Sequence, residues 1–396
     1  MRILIVQHGT ELYGSDRALL SVVAELVERG SEVTVAVPER GALSAALSAL
    51  GARVEVGPVG VVGRHSFTAS GALRTSWDVC RAVGFLSELK RRHRAQLIYS
   101  NTLAVLGGAI VSRLSGTPHV WHVHESVADS GAARRVLAAF MRWSKNQVIF
   151  NSAWTARSWC KDATPDDSYR IVLNGVPSVM PSGMDEVARI RRLCGADETT
   201  CLIVCIGRIN RWKGQRILLA AFERIVPVVD RQVRLLFVGA PPQGQPEHLH
   251  ALERKISESP VRRFVTLLPF QQNPAAIWNA SDIAVVPSEE PEPFGLVAVE
   301  AMSASKPVVA AAHGGLVEIV VPAVTGELFE PRNESQLAEV LTRLVLDPQR
   351  RAELGRAGHA RYQAAFTEER FAAEVCDLIA CAISSDSKRK DLGSPT

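Results

Sequence analysis

Long apolar runs are missing from this chain of 396 residues. The best stretch, Leu103 to Val111, is about half the ~18 consecutive apolar residues that a membrane-spanning helix needs. A signal-peptide core is missing too, because Met1-Arg2 runs straight into a short apolar strand with no small-residue cleavage site. The seven cysteines are an odd number and none forms a C-x-x-C pair, which argues against a disulfide-stapled scaffold and for thiols serving as buried apolar fillers in a reducing compartment. These absences predict a cytoplasmic protein. Charge of one sign is also lacking: 45 Lys and Arg stand against 41 Asp and Glu, net +4, too balanced for a protein whose main task is neutralising nucleic-acid phosphates. The first strand-to-helix loop has no G-x-G-x-x-G, which disfavours a nicotinamide dehydrogenase. There is no repeat of 20–50 residues and no heptad pattern.

What the chain does have is alternation of strands and helices. Arg2 to Gln7 is a continuous apolar run, as a parallel strand buried on both faces requires, and it leads through a polar loop into a helix with Leu19, Leu20, Val23, Leu26 and Val27 at helical spacing. Strands follow at Glu32–Val37, Gln96–Tyr99, His119–Val123 and Gln147–Phe150. Ile171 to Val176, with Pro177, Pro181 and Gly183 after it, reads as a linker. A second series has strands at Cys201–Ile206, Arg234–Val238, Val265–Leu268, Ile283–Val286 and Pro307–Ala310, and the chain turns helical after Asn333. The expected class is α/β, with two Rossmann-like, doubly wound parallel-sheet domains of residues 1–183 and 184–365. A helix at 366–383 is expected to return to the first domain, and 384–396 to be a disordered tail. A ligand would lie between the carboxyl edges of the two sheets.

The near-neutral total conceals a division. Residues 1–183 carry 20 basic and 14 acidic side chains, net +6, and the remainder 25 and 27, net −2. Part of the excess is Lys90, Arg91, Arg92 and Arg94; part is Arg134, Arg135, Arg142 and Lys145. These are either solvated helix faces or a basic surface for anionic lipid or an anionic acceptor at the inner face of a membrane.

Three segments of the second half carry chemistry. Gly207-Arg208-Ile209-Asn210-Arg211-Trp212-Lys213-Gly214 lies between a buried strand and a helix, so a glycine turn, free helix N–H groups and two cations meet where a diphosphate would fit. Glu292 and Glu300 are separated by seven residues around a predicted helix start at Phe294. Ionised carboxylates accept hydrogen bonds in pairs, which suits adjacent sugar or ribose hydroxyls. His313-Gly314-Gly315 is a flexible turn that admits close approach. In the first half, His119, His122 and His124 invite a metal reading. Strand alternation puts only His122 and His124 on one face, and no carboxylate pair completes a site, so no metal is assigned.

With the GR-x4-KG loop (Arg208 to Gly214), the E-x7-E segment and the trailing AHGGLVEIV (Ala312 to Val320), the chain resembles the retaining GT-B glycosyltransferases of family 4 from Met1 to about Phe371. The resemblance implies the GT-B fold, an acceptor-side first domain and a nucleotide-sugar-binding second domain. It implies that Arg208 and Lys213 hold the nucleotide diphosphate, Glu300 the ribose diol and Glu292 the donor sugar hydroxyls. The amides of Phe294, Gly295 and Leu296 would bind sugar or phosphate, and the backbone near Pro269 and Phe270 the base. His124, in Val123-His124-Glu125-Ser126, is similar to the family's histidine facing the donor sugar. Gly14 lies where the family's glycine loop approaches the phosphate, although Tyr13-Gly14 stands here in place of paired glycines. No D-x-D sequence is present to hold a divalent cation, so preorganised positive charge would stabilise the departing diphosphate. The family's chemistry implies same-face attack with no enzyme nucleophile and no cofactor. A hexosyltransferase using a nucleotide sugar, a UDP-sugar in preference to a GDP-sugar, is the expected activity, with a hydroxyl acceptor that is a surface polysaccharide, its lipid-linked precursor or a natural product. A GT-B isomerase or phosphorylase and a non-catalytic sugar-nucleotide-binding protein are the readings of another class.

Overall fold

The computed structural model describes residues 1–396 apart from 10, 11, 13, 64, 65, 67, 68, 127–130, 145, 146, 161–168, 230, 231 and 393–396. Tyr13 and Lys145 lie outside the described residues, as does the end of the tail. The chain divides into two compact units, Met1–Gly175 with Glu368–Thr396, and Val176–Thr367.

The first unit is built on seven strands: β1 Arg2–Val6, β2 Glu32–Val37, β3 Arg53–Val56, β4 Leu97–Ser100, β5 His119–Val123, β6 Gln147–Phe150 and β7 Tyr169–Ile171. They pair in the order β3-β2-β1-β4-β5-β6-β7, all in parallel. The second unit has six: β8 Cys201–Ile206, β9 Val233–Val238, β10 Val265–Leu268, β11 Ile283–Val286, β12 Val308–Ala311 and β13 Gly326–Phe329. Their order is β10-β9-β8-β11-β12-β13, again all parallel. In both sheets the order reverses beside the first strand, between β1 and β4 and between β8 and β11. Loops leaving adjacent strands to opposite faces open a crevice there, which is where open α/β sheets bind ligands.

The central strands are apolar on both faces because helices cover both. Leu4, Ile5 and Val6 are fully buried, as are Leu202, Ile203 and Val204. Where the last helices begin and end is set by caps: the Asn333 side chain accepts from Gln336 N at 3.0 Å, and Asp347 accepts from Arg350 N at 2.8 Å ahead of Pro348. The final helix, Glu368–Leu392, packs Phe371, Val375, Cys376 and Ile379 among Ile3, Leu19, Val22 and Val35 of the first unit. It runs on past Ile383, where the apolar pattern ends, so residues 384–392 are helical rather than a disordered tail. Among the described residues no helix is long and apolar enough to cross a membrane.

Candidate active site

In the second unit the loop after β8 is bound to the loop after β11. Asn210 Oδ1 accepts from the backbone N–H of Trp212 (3.2 Å) and Lys213 (3.0 Å), turning the chain back before the helix Gln215–Ile225. Gly214 has φ +73°, and a Cβ there would fall 1.8 Å from the carbonyl oxygen of Pro287. Only glycine combines that backbone with that approach. Across the junction Glu289 N donates to Trp212 O at 2.7 Å.

This contact delivers Lys213 to Glu292. Lys213 Nζ donates to Glu292 Oε1 at 2.7 Å, with side chains 19% and 8% exposed. The Ser288 hydroxyl donates to the same Oε1, and His313 Nε2 donates to the Ser288 carbonyl at 2.8 Å. Burial pushes the Glu292 carboxyl up, but the Lys213 charge, its hydrogen bond and that of Ser288 outweigh it and hold Glu292 below the ordinary carboxylate value. Burial lowers His313, outweighing its bond to the Ser288 carbonyl and the nearby Glu292 charge, both of which raise it. The turn after β12 clamps the segment from behind: Gly315 N donates to Glu292 O at 2.7 Å, and a Cβ on Gly314 would lie 2.4 Å from the same oxygen.

Phe294 is buried edge-on against Phe366, so its side chain is core and only its backbone faces the loop. Gly295 and Leu296 start the helix Leu296–Ser303, whose first amides have no intrahelical partner. Glu300, on that helix, is buried beside Trp278, whose indole N–H lies 3.4 Å from Oε2. Arg208 stands in the same loop as Lys213, its carbonyl accepting from Gln215 Nε2 at 3.0 Å. Pro269 and Phe270 follow β10 at the sheet edge, two strands from β8, and both are exposed, Phe270 by 53%. The structure thus gathers Arg208, Lys213, Glu292, Phe294, Gly295 and Leu296 around the β8 and β11 ends, sets Glu300 one helix turn further, and leaves Pro269 and Phe270 apart.

In the first unit His124 follows β5 and is buried, with its ring 4.0 Å from that of His122. His119 is on the other face, against Ser100 and Trp121. Burial lowers all three, His119 and His124 to about 3. Glu125 accepts from the Thr102 hydroxyl, and burial pushes its carboxyl up. Gly14 is the first residue of the helix Gly14–Glu28. Among the described residues no three His, Cys, Asp or Glu side chains cluster as a metal site. Ser288, Trp278 and the partners of His124 described below escape sequence reading. Gln7 and Asn101 leave one signal, a polar residue just after an apolar buried strand.

Two family models cover most of the chain: "Glycosyltransferase Family 4" matches residues 13–178 and "Glycosyl transferases group 1" residues 187–361. The D-inositol 3-phosphate glycosyltransferase of Thermomonospora curvata is 36% identical over 308 residues, 73% of this chain and 67% of that protein. The chain belongs to the family 4 glycosyltransferases. The same-named enzyme of Corynebacterium aurimucosum is 31% identical over 246 residues, 60% of this chain and 58% of the relative. The chain therefore spans little more than half of that relative, and 44% of the one from Corynebacterium kroppenstedtii. Among solved structures, HepE of Anabaena in complex with UDP and glucose is 25% identical with a TM-score of 0.81, over 96% of this chain and 99% of HepE. These likenesses and the two parallel sheets give the chain the GT-B fold.

Proposed function

We propose that this glycosyltransferase moves a hexosyl group from a nucleotide diphosphate sugar, a UDP-sugar in preference to a GDP-sugar, to a hydroxyl acceptor with retention of anomeric configuration. The observation that carries the reading is the buried Lys213–Glu292 pair at the point where the second sheet reverses its strand order. Arg208, Lys213 and the N-termini of the helices Gln215–Ile225 and Leu296–Ser303 supply fixed positive charge toward a departing diphosphate, and an interaction of this kind is worth about 3–4 kcal/mol in the transition state. In this reading Glu292 binds donor sugar hydroxyls, Glu300 the ribose diol, and the amides of Phe294, Gly295 and Leu296 sugar or phosphate. Gly14 approaches the phosphate, Pro269 and Phe270 take the base, and His124 bonds a saccharide hydroxyl. Transfer needs neither metal nor cofactor. The UDP and glucose bound by HepE support the donor class.

The acceptor in this reading is a growing cell-surface polysaccharide or other glycoconjugate. The name shared by the inositol phosphate relatives favours D-inositol 3-phosphate as a second candidate. Contact with an anionic membrane is proposed for the first unit, because the helix Gly131–Ser144 carries Arg134, Arg135 and Arg142 beside the exposed Val136 and Trp143.

A thermal-shift screen over UDP-, GDP- and ADP-glucose tests the donor: UDP-glucose raises the Tm of the wild type, and Lys213→Ala and Glu292→Ala abolish the shift. Folded variants that turn over at near wild-type rate would overturn the site. Proton NMR of the product reads the anomer, and activity in EDTA reads metal dependence. Incubation with D-inositol 3-phosphate and with oligosaccharide acceptors separates the two acceptor readings. Sedimentation with phosphatidylglycerol vesicles at low and high salt tests the membrane contact.

A further inference from the structure

A chain of buried polar side chains runs through the first unit at the carboxyl ends of β1, β4 and β5. Gln7 Nε2 donates to Asp16 Oδ1 at 2.5 Å. Asn101 Nδ2 donates to Gln7 Oε1 at 3.2 Å and to the backbone oxygen of Ser15 at 3.1 Å, and Asn101 Oδ1 lies 3.1 Å from His124 Nε2. All four side chains are more than nine-tenths buried. The far end is anchored: Asp16 sits in the first turn of the helix Gly14–Glu28, where the helix dipole favours a carboxylate. A Cβ on Gly9 would meet its Oδ1 at 2.2 Å.

One atom fixes the direction of every bond in the chain. The Ser15 carbonyl can only accept, so the nitrogen of the Asn101 amide faces it and the oxygen faces His124. That oxygen can only accept, so His124 Nε2 carries a proton. The ring is neutral, because burial lowers it to about 3, and its lone pair is therefore on Nδ1. His124 Nδ1 is buried without a hydrogen-bond partner. The His122 ring covers His124 at 4.0 Å and is itself held through Nδ1 by the Tyr99 hydroxyl at 2.5 Å.

We propose that Asn101 is a positioning residue that holds His124 in the Nε2-protonated tautomer and so presents Nδ1 as an acceptor to a substrate hydroxyl. The use of Nδ1 rests on the role given to His124 above; the tautomer does not.

The test is a long-range proton–nitrogen NMR correlation on the full chain labelled with nitrogen-15 in its histidine rings, with His124 assigned by its loss in His124→Gln. The wild type shows His124 protonated at Nε2. Asn101→Leu removes the acceptor and shifts the proton toward Nδ1, whereas Asn101→Asp keeps an oxygen against the ring and keeps Nε2 protonated. A proton on Nδ1 in the wild type overturns the proposal with no variant needed, and so does a folded Asn101→Leu with an unchanged His124 signal. UDP-glucose cleavage is measured alongside: Asn101→Leu lowers kcat at least tenfold with KM within twofold, and adding it to His124→Gln costs nothing further. If Asn101→Leu moves the tautomer while His124→Gln cleaves UDP-glucose at the wild-type rate, the positioning stands and the role of His124 falls.

Discussion

Lys213 and Glu292 are a pair that neither residue can leave cheaply. Removing one partner of a buried ion pair strands the other charge, at a cost of about 3–5 kcal/mol. Lys213→Met therefore lowers stability by roughly that amount at pH 7 and lets burial push Glu292 upward, whereas Lys213→Met with Glu292→Gln recovers much of the loss. Urea unfolding of the two variants checks both. The sign of the pH dependence follows from the same pair: Glu292 is held below its ordinary value in the folded chain, so its contribution is complete above that value and fades as pH falls through the lowered one. Histidines of the first unit act from a higher pH. His119, His122 and His124 are held neutral by burial, the first and last to about 3, so below about 6.5 the unfolded chain takes up protons that the folded chain refuses. Between pH 5.5 and 4.5 His119 and His124 each cost on the order of 1 kcal/mol and His122 acts in the same direction, offset in part by Glu125, which burial raises. His119→Asn should flatten that slope by one proton in urea unfolding followed across the range. Lys213, Glu292 and His124 stood out as candidates from the family pattern. Ser288 and Asn101 were not, because a hydroxyl or amide at a strand end acquires meaning only when the neighbouring strand brings its partner within hydrogen-bonding reach.

Elements show where sequence patterning carries information. Strands with apolar residues on both faces, such as those holding Ile3 to Val6 and Leu202 to Val204, announce themselves, and β2, β5, β6, β8, β10 and β11 have the predicted bounds. The strands absent from the sequence reading are β3, β7 and β13, three or four residues long and all at sheet edges. An edge strand pairs on one side only and need not be apolar on both faces, as Arg53-Val54-Glu55-Val56 shows, so periodicity has little to register. The β8-to-helix loop supports a sharper expectation. Gly214→Ala must clear a Cβ 1.8 Å from the Pro287 oxygen at φ +73°, and the flexible end of a side chain is not there to yield. It should cost a few kcal/mol and weaken UDP-glucose binding at least tenfold in calorimetry, by prising Lys213 from Glu292. Gly84→Ala is the contrast. Gly84 is exposed inside the helix Ala69–Arg92 with nothing within 4 Å of an added Cβ, so the change should raise stability by about 0.5–1 kcal/mol.

On the scale of the molecule, the chain crosses between units twice, at Gly175–Val176 and Thr367–Glu368, so the first unit is completed by the last helix. Phe371, Val375, Cys376 and Ile379 are fully buried there, Ser21 Oγ donates to Glu368 at 2.5 Å and Arg29 pairs with Asp377 at 2.6 Å. The exposed ion pair contributes about 0–1 kcal/mol, so apolar burial decides the matter. Four such side chains at about 1.5–3 kcal/mol each give roughly 6–12 kcal/mol, as large as the whole stability of an ordinary domain, about 5–15 kcal/mol. A chain ended at Thr367 should therefore lose the cooperative unfolding of the first unit. The second unit keeps its own core, with Leu218, Phe222, Leu236 and Val285 buried within Val176–Thr367, along with every side chain of the Lys213–Glu292 site. Calorimetry of the truncated chain should show one transition in place of two, and UDP should still raise its midpoint. Two surviving transitions would show that the last helix is dispensable to the first core, and loss of both would show that the second unit does not stand alone.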